Sequence, residues 1–197
     1  MAPNHNENPG NGFVNLSRRQ ALKRIAFYSL MGFSLPKPVY ASIQESHPTE
    51  RFLSLYHPNT KETLNIVYWS NGDYIPEALT KINYFMRDHR TDEVKPIDPR
   101  LLDLLYAVER KTKSRKPLQI VSGYRSPETN ALLRKHRRGV SKNSYHIQGK
   151  AADIWLPGYR LSSLRKVALR IKAGGVGYYP RFMFVHVDVG PIRYWRK

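Results

Sequence analysis

The chain has 197 residues, of which 41% are hydrophobic and 12% aromatic, enough apolar surface for one packed domain and enough to exclude global disorder. Lys and Arg number 33 against 15 Asp and Glu, a formal charge of +18, so the partners to expect are polyanions: nucleic acid, acidic lipid or anionic wall polymer. There is no cysteine, which excludes disulfides, thiolate metal sites and a cysteine nucleophile and leaves any metal to His and carboxylate ligands.

In chain order, residues 1–15 are polar and rich in Asn, Gly and Pro, with nothing to bury. A basic stretch follows from Ser17 to Arg24, then an apolar run from Ile25 to Leu35, then Val39-Tyr40-Ala41 with small residues at the −3 and −1 positions of a cleavage site. These are the three parts of a secretory signal peptide. The run of about 11 residues is shorter than the roughly 20 that a spanning helix needs. The pair Arg18-Arg19, with Leu22 and Lys23 behind it, resembles a twin-arginine export signal, although Ala21 stands where phenylalanine is usual. A basic amphipathic helix of a cytosolic domain is the competing reading of the same residues. Cleavage near Ala41 leaves 28 basic against 14 acidic residues, a formal +14, and predicts a periplasmic protein with residues 42–197 as a single domain.

Two β-prone runs, Phe52–His57 and Thr63–Trp69, flank turn residues and predict a hairpin. Apolar residues at helical spacing predict helices from Pro76 to Arg87 and from Asp98-Pro99 to about Lys111. A short strand, Leu118–Ser122, precedes a helix opened by Ser126-Pro127 and stopped at Gly139. Ala151–Trp155 reads as a buried strand. A basic amphipathic helix from Leu161 to Ala173 is expected to close at Gly174-Gly175. A last hairpin, Val176–Tyr179 and Phe182–Val189, turns at Pro180-Arg181. Strands and helices mix without regular βαβ alternation, so the fold class is α+β, with a small, mainly antiparallel sheet and flanking helices.

Two stretches carry chemistry. Ser144-Tyr145-His146-Ile147-Gln148-Gly149-Lys150-Ala151-Ala152-Asp153 places an imidazole and a carboxylate seven residues apart, with Gly149 turning the loop before the strand. In Phe184-Val185-His186-Val187-Asp188-Val189-Gly190, strand alternation puts His186 and Asp188 on one face and the valines on the other. Ionisable side chains flanked by apolar residues need a partner, and a metal would provide one. Catalytic zinc keeps three protein ligands and a water, and His146, Asp153 and His186 make that set, with one zinc per chain. Taken singly, a loop histidine, a paired aspartate and a surface edge strand explain each of them without a metal.

These stretches, with Ser122-Gly123-Tyr124-Arg125-Ser126, resemble the ordered signatures of the MepK-like murein endopeptidases, within the LAS-type and D-Ala-D-Ala carboxypeptidase group of zinc peptidases. The resemblance covers about residues 50–197. It implies that the fold is that of this peptidase group, that His146, Asp153 and His186 bind zinc, and that Arg125 faces substrate. It also implies that peptide cross-links of peptidoglycan are cut by attack of a metal-bound water. Many relatives carry a Glu three residues before the last histidine as base; here Met183 occupies it, and Asp188 is the substitute candidate for the catalytic base. Arg125 suits stabilisation of the oxyanion. Arg125, Ser144 and Tyr145 are assigned to substrate contacts. The basic cluster Arg134–Arg138 is a candidate contact for wall material, and Tyr178, Tyr179, Tyr194 and Trp195 are candidates for lining a groove.

The partners expected are peptidoglycan stem peptides, with no specific nucleic acid, no transmembrane segment in the mature chain and a monomeric state. Three alternatives stay open: a wall-binding module without catalysis, a carboxypeptidase trimming stem peptides, and a basic nucleic-acid-binding protein.

Overall fold

The β-branched and aromatic runs pair as a hairpin. Strand β1 (Glu50–Tyr56) lies antiparallel to β2 (Thr63–Ser70), with Leu55 opposite Leu64 and Tyr56 opposite Thr63. The computed structural model describes residues 49–136 and 140–197, so the expected export signal and the basic residues Arg137 and Arg138 lie outside the described residues. A two-residue strand, β3 (Asp73–Tyr74), folds back on β2 and is too short for any periodicity to announce.

Among the described residues, four helices follow at the places that proline and apolar spacing mark. Helices α1 (Pro76–Phe85) and α2 (Pro99–Thr112) begin at a proline, whose missing N–H is no loss in a first turn. The Asp98 carboxylate accepts the Arg100 amide at 3.0 Å and caps α2. Helix α3 (Pro127–His136) and helix α4 (Leu161–Ile171) complete the set. The end of α4 differs from expectation. Lys172 takes the left-handed conformation at φ 57° and ends the helix, while Gly175 already opens the next strand.

Strands β4 (Leu118–Ser122), β5 (Ala151–Trp155), β6 (Gly175–Tyr179), β7 (Phe184–Asp188) and β8 (Arg193–Arg196) join the first three in one sheet, ordered β3-β2-β1-β4-β5-β7-β6-β8. Five of the seven pairings are antiparallel, in line with the expected α+β class. The sheet is larger than anticipated, with eight strands. The terminal β8 returns parallel to β6, and its basic, aromatic sequence gave no alternating signal of burial. The β6–β7 connection is also longer than the expected turn: Pro180–Phe182 forms a 3₁₀ turn, and Met183 reverses the chain at φ 57°.

One face of the sheet packs the core. Leu53, Leu55, Ile120, Ile154, Val185 and Val187 are fully buried in one cluster with Leu101 and Leu105 of α2 and Leu164 of α4. Burying each such side chain is worth about 1.5–3 kcal/mol. The opposite face is left to polar chemistry. Among the described residues, no helix is long and apolar enough to cross a membrane.

One half-buried acid in this scaffold sets a pH dependence. Burial pushes the Glu109 carboxyl from 4.5 up to about 7, despite the Ser54 and Leu118 amides that donate to it. The folded state then holds this proton more tightly than the unfolded chain. The contribution is complete below pH 4.5 and is lost as pH rises through about 7, with a slope of at most about 1.4 kcal/mol per pH unit. Glu109→Gln is expected to flatten the slope of urea-derived stability between pH 5 and about pH 7 and to stabilise the chain at higher pH. A slope unchanged by the substitution would count against a half-buried Glu109.

Candidate metal centre

The centre begins as one rung across five strands. Ser122 of β4 faces Asp153 of β5, Asp153 faces His186 of β7, His186 faces Gly177 of β6, and Gly177 faces Trp195 of β8. Alternation then does the sorting. Asp153 and His186 point away from the core face that Ile154, Val185 and Val187 fill.

His146 reaches the rung from a separate loop. Ser144 caps the 3₁₀ turn Tyr145–Gln148 by accepting the His146 amide at 3.3 Å, and Gly149 ends it at φ 66°. Gly149 is required twice over: its left-handed backbone favours glycine, and a Cβ would run into the Pro96 carbonyl. The Ser122-Gly123-Tyr124-Arg125-Ser126 loop backs this turn. The Tyr124 amide donates to Met86 at 2.8 Å, and the Ser126 amide donates to the buried Asp88 carboxylate at 2.8 Å.

His146, Asp153 and His186 are all buried, and one ligand atom from each lies within 4.8 Å of the others. His146 Nε2 is 3.2 Å from Asp153 Oδ1 and 3.1 Å from His186 Nδ1, which is itself 3.0 Å from Asp153 Oδ1. Bonds of about 2.0–2.1 Å in a tetrahedron put donor atoms roughly 3.3 Å apart. The outer atoms of each side chain are held too. His146 Nδ1 donates to the Gly123 carbonyl at 2.7 Å, which leaves the Nε2 lone pair facing inward. His186 Nε2 donates to Asp188 Oδ2 at 2.9 Å, leaving Nδ1 inward. Arg125 Nη2 bonds Asp153 Oδ2, so Oδ1 is the oxygen turned to both imidazoles. Two imidazoles and a carboxylate, each oriented from behind, fit a zinc ion.

The electrostatics agree with this set. Burial lowers His146 to about 4, with the Arg125 charge adding to it, so its imidazole is neutral and can ligate. Burial opposes ionisation of Asp153, but the surrounding charges and hydrogen bonds, the Arg125 guanidinium among them, hold its carboxyl well below the usual range. His186 is raised: burial works against its charge, and the hydrogen bonds to Asp153 and Asp188 outweigh burial. A proton on His186 Nδ1 therefore competes with a cation for the same atom.

Two expected roles change. Asp188 does not stand beside the three donor atoms. It is fully buried on the far nitrogen of His186, bonded to Arg193 Nη2 at 2.8 Å and to the Gly175 and Gly190 amides at 3.0 and 2.9 Å. It orients the histidine from behind and is turned away from the three donor atoms, a position that suits positioning rather than proton transfer. Arg125 borders the cleft, yet its Nε is committed to Ser122 Oγ at 3.0 Å and its Nη2 to Asp153. Holding Asp153 is its first task. Met183 is exposed, in the turn before β7.

A cleft of about 630 Å³ opens over the three donors. Ser144 and Tyr145 line it, though the Ser144 hydroxyl is engaged as a cap. Tyr179 and Trp195 line it as well, whereas Tyr178 and Tyr194 do not. Among the lining residues Asp153 is the one acid, set against Arg90, Arg125, Arg193 and Lys197. Sequence reasoning missed His89, Arg90 and Arg193. Their only signal was a position next to Asp88 and beyond Gly190, whose importance depends on contacts distant in sequence.

Comparison with known proteins places this arrangement among relatives. Residues 45–195 match the family described as peptidoglycan L,D-endopeptidase MepK. The chain is 44% identical to the Escherichia coli K12 protein named peptidoglycan L,D-endopeptidase MepK, over 91% of this chain and 97% of that one. The Shigella flexneri protein of the same name matches to the same extent. A Haemophilus influenzae protein named probable peptidoglycan L,D-endopeptidase MepK is 40% identical over 82% of this chain and 87% of its own.

Proposed function

The chain belongs to the peptidoglycan L,D-endopeptidase MepK family, and from that premise we propose that it cuts L,D peptide bonds in the cross-links between peptidoglycan stem peptides, with a zinc ion held by His146, Asp153 and His186. It is a peptidoglycan endopeptidase and hence a hydrolase. We assign residues 42–197 to the exported, periplasmic enzyme, following the signal-peptide pattern that ends at Ala41. The observation that carries the zinc reading is the convergence of the three donor atoms within 4.8 Å at the cleft.

Zinc, when bound, supplies Lewis acidity that polarises a carbonyl and makes water nucleophilic near neutral pH. The protein's own groups do the rest. Gly123, Arg125 and Asp188 fix the three donor side chains from behind, so little reorganisation is left for the reaction. The lining carries more cationic than acidic side chains, which complements the free carboxylates of stem peptides even with Arg125 and Arg193 paired to Asp153 and Asp188. With Met183 in the turn and Asp188 behind His186, the proton acceptor on the lining is His89. Burial and the Arg90 charge lower its imidazole, which keeps it neutral and so able to accept a proton.

The test is digestion of purified muropeptide dimers by the full chain, using dimers joined through an L,D bond and dimers joined through a D,D bond, with masses read on the products. Loss of the L,D-linked dimers alone is expected. Loss of D,D-linked dimers instead would reassign the bond, and release of single terminal residues would identify a carboxypeptidase.

A further inference from the structure

The reaction needs a donor for the carbonyl oxygen that becomes negatively charged as the peptide bond is attacked. Arg125 was the expected donor, but two of its three guanidinium nitrogens are bonded to Ser122 and Asp153. The structure offers another group, assembled from three strands beside that rung, where Tyr179 of β6 pairs with Phe184 of β7 and meets Trp195 of β8.

Tyr179 ends β6 on the side that strand alternation gives to Gly175 and Gly177, and it borders the cleft with His146, Asp153 and His186. Its ring is stacked on Phe184, centroids 4.5 Å apart and planes at 22°, which fixes the ring plane. Its hydroxyl oxygen accepts the Trp195 indole N–H at 2.8 Å. That bond occupies a lone pair and turns the phenolic proton elsewhere, and among the described residues nothing takes this proton. Gly177 makes the arrangement possible. A Cβ there would stand 2.5–2.7 Å from the Trp195 ring atoms, so only glycine lets the indole lie across β6, 5.2 Å from the His186 ring. Burial first, and then the Asp153 charge, raise the Tyr179 pKa against the opposing Trp195 bond and Arg125 charge, so the phenol stays a donor at neutral pH.

We propose that the Tyr179 hydroxyl is a catalytic hydrogen-bond donor, aimed by Trp195 at the oxygen of the scissile peptide carbonyl as that oxygen takes up negative charge. No proton is transferred: the hydroxyl keeps its hydrogen, and the bond shortens as charge develops and relaxes when the amine leaves. The inference rests on the endopeptidase reading. Trp195 is a positioning residue, acting through Tyr179.

The experiment compares the wild-type full chain with Tyr179→Phe, Trp195→Phe and the double variant on L,D-linked dimers. Zinc content and melting temperature are measured alongside, with the affinity for a phosphinate pseudo-dipeptide that mimics the charged tetrahedral species. Tyr179→Phe is expected to lower kcat on the order of 100-fold with KM within about twofold. Phosphinate affinity should fall in parallel, while affinity for the cleaved product does not. Trp195→Phe should lose less, and the double variant no more than Tyr179→Phe alone. Tyr179→Phe at wild-type kcat overturns the inference, as does a loss confined to KM or one that tracks lost zinc or lowered melting. A wild-type chain that cuts neither L,D nor D,D links overturns the endopeptidase reading and this inference with it, whereas equal cutting by wild type and Tyr179→Phe overturns the inference alone.

Discussion

If the centre holds zinc as proposed, His146→Ala is expected to leave the chain folded but without tightly bound metal, and to lower peptide cross-link cleavage by roughly 1,000-fold or more. His146 contributes one of the three ligand atoms that converge at the cleft among the described residues, and it enters from a capped turn outside the sheet. Its removal therefore disturbs the strand pairing of Asp153 with His186 very little. A Lewis acid at such a centre supplies several kcal/mol of transition-state stabilisation, which corresponds to about three powers of ten or more in rate. A chelator applied to the wild-type chain should give the same loss, reversed by adding zinc; His146→Ala should not be rescued. Zinc per chain is read by elemental analysis and rate by the L,D-linked dimer assay. Full activity in the chelated, metal-free chain would exclude the zinc reading while leaving the family assignment in place. Zinc uptake should also weaken as pH falls, because the raised His186 holds a proton on the nitrogen that would ligate.

Asp188→Ala is the second large effect, and it falls on stability as well as on rate. Asp188 is completely buried and receives His186, Arg193 and the Gly175 and Gly190 amides. Burial alone would raise its carboxyl, but the bonds from His186 and Arg193 hold it below the ordinary range. Removing one member of a buried charged network strands the others and costs about 3–5 kcal/mol. Through His186 it should also weaken zinc binding or activity by about 10–100-fold. Asp188→Asn, which keeps the size and an acceptor oxygen, should recover part of the stability. The readout that separates positioning from proton transfer is the pH–rate profile: its acidic limb should persist in Asp188→Asn, shifted at most by the altered His186. Disappearance of that limb, with zinc content and stability unchanged, would restore Asp188 as the base.

Much of this site was legible along the chain because its signals are local. Ser144 before His146 is an N-cap, Gly149 sits at a left-handed backbone, and the alternation of Val185, His186, Val187 and Asp188 assigns faces to a strand. Pro76, Asp98-Pro99 and Pro127 mark helix starts by removing or capping orphan amides. Less local features escaped. The β3 and β8 strands are short and lack a buried period, and the end of α4 at Lys172 depends on a left-handed lysine where glycine was available two residues later.

The order of chemical groups in the chain therefore determined by itself the α+β class, the ligand types a cysteine-free protein has left, and the three residues able to supply them. Only the tertiary structure decided what each of those residues touches. Alternation puts His186 and Asp188 on one face, but which carboxylate meets which nitrogen is set by the register of β5 against β7, Asp153 opposite His186 across 33 residues of chain. A second long-range pairing, β8 along β6, brought Trp195 across Gly177 to Tyr179. Local propensity acts over a few residues, whereas register is chosen by the burial of a whole sheet face, and no short stretch of sequence contains that balance.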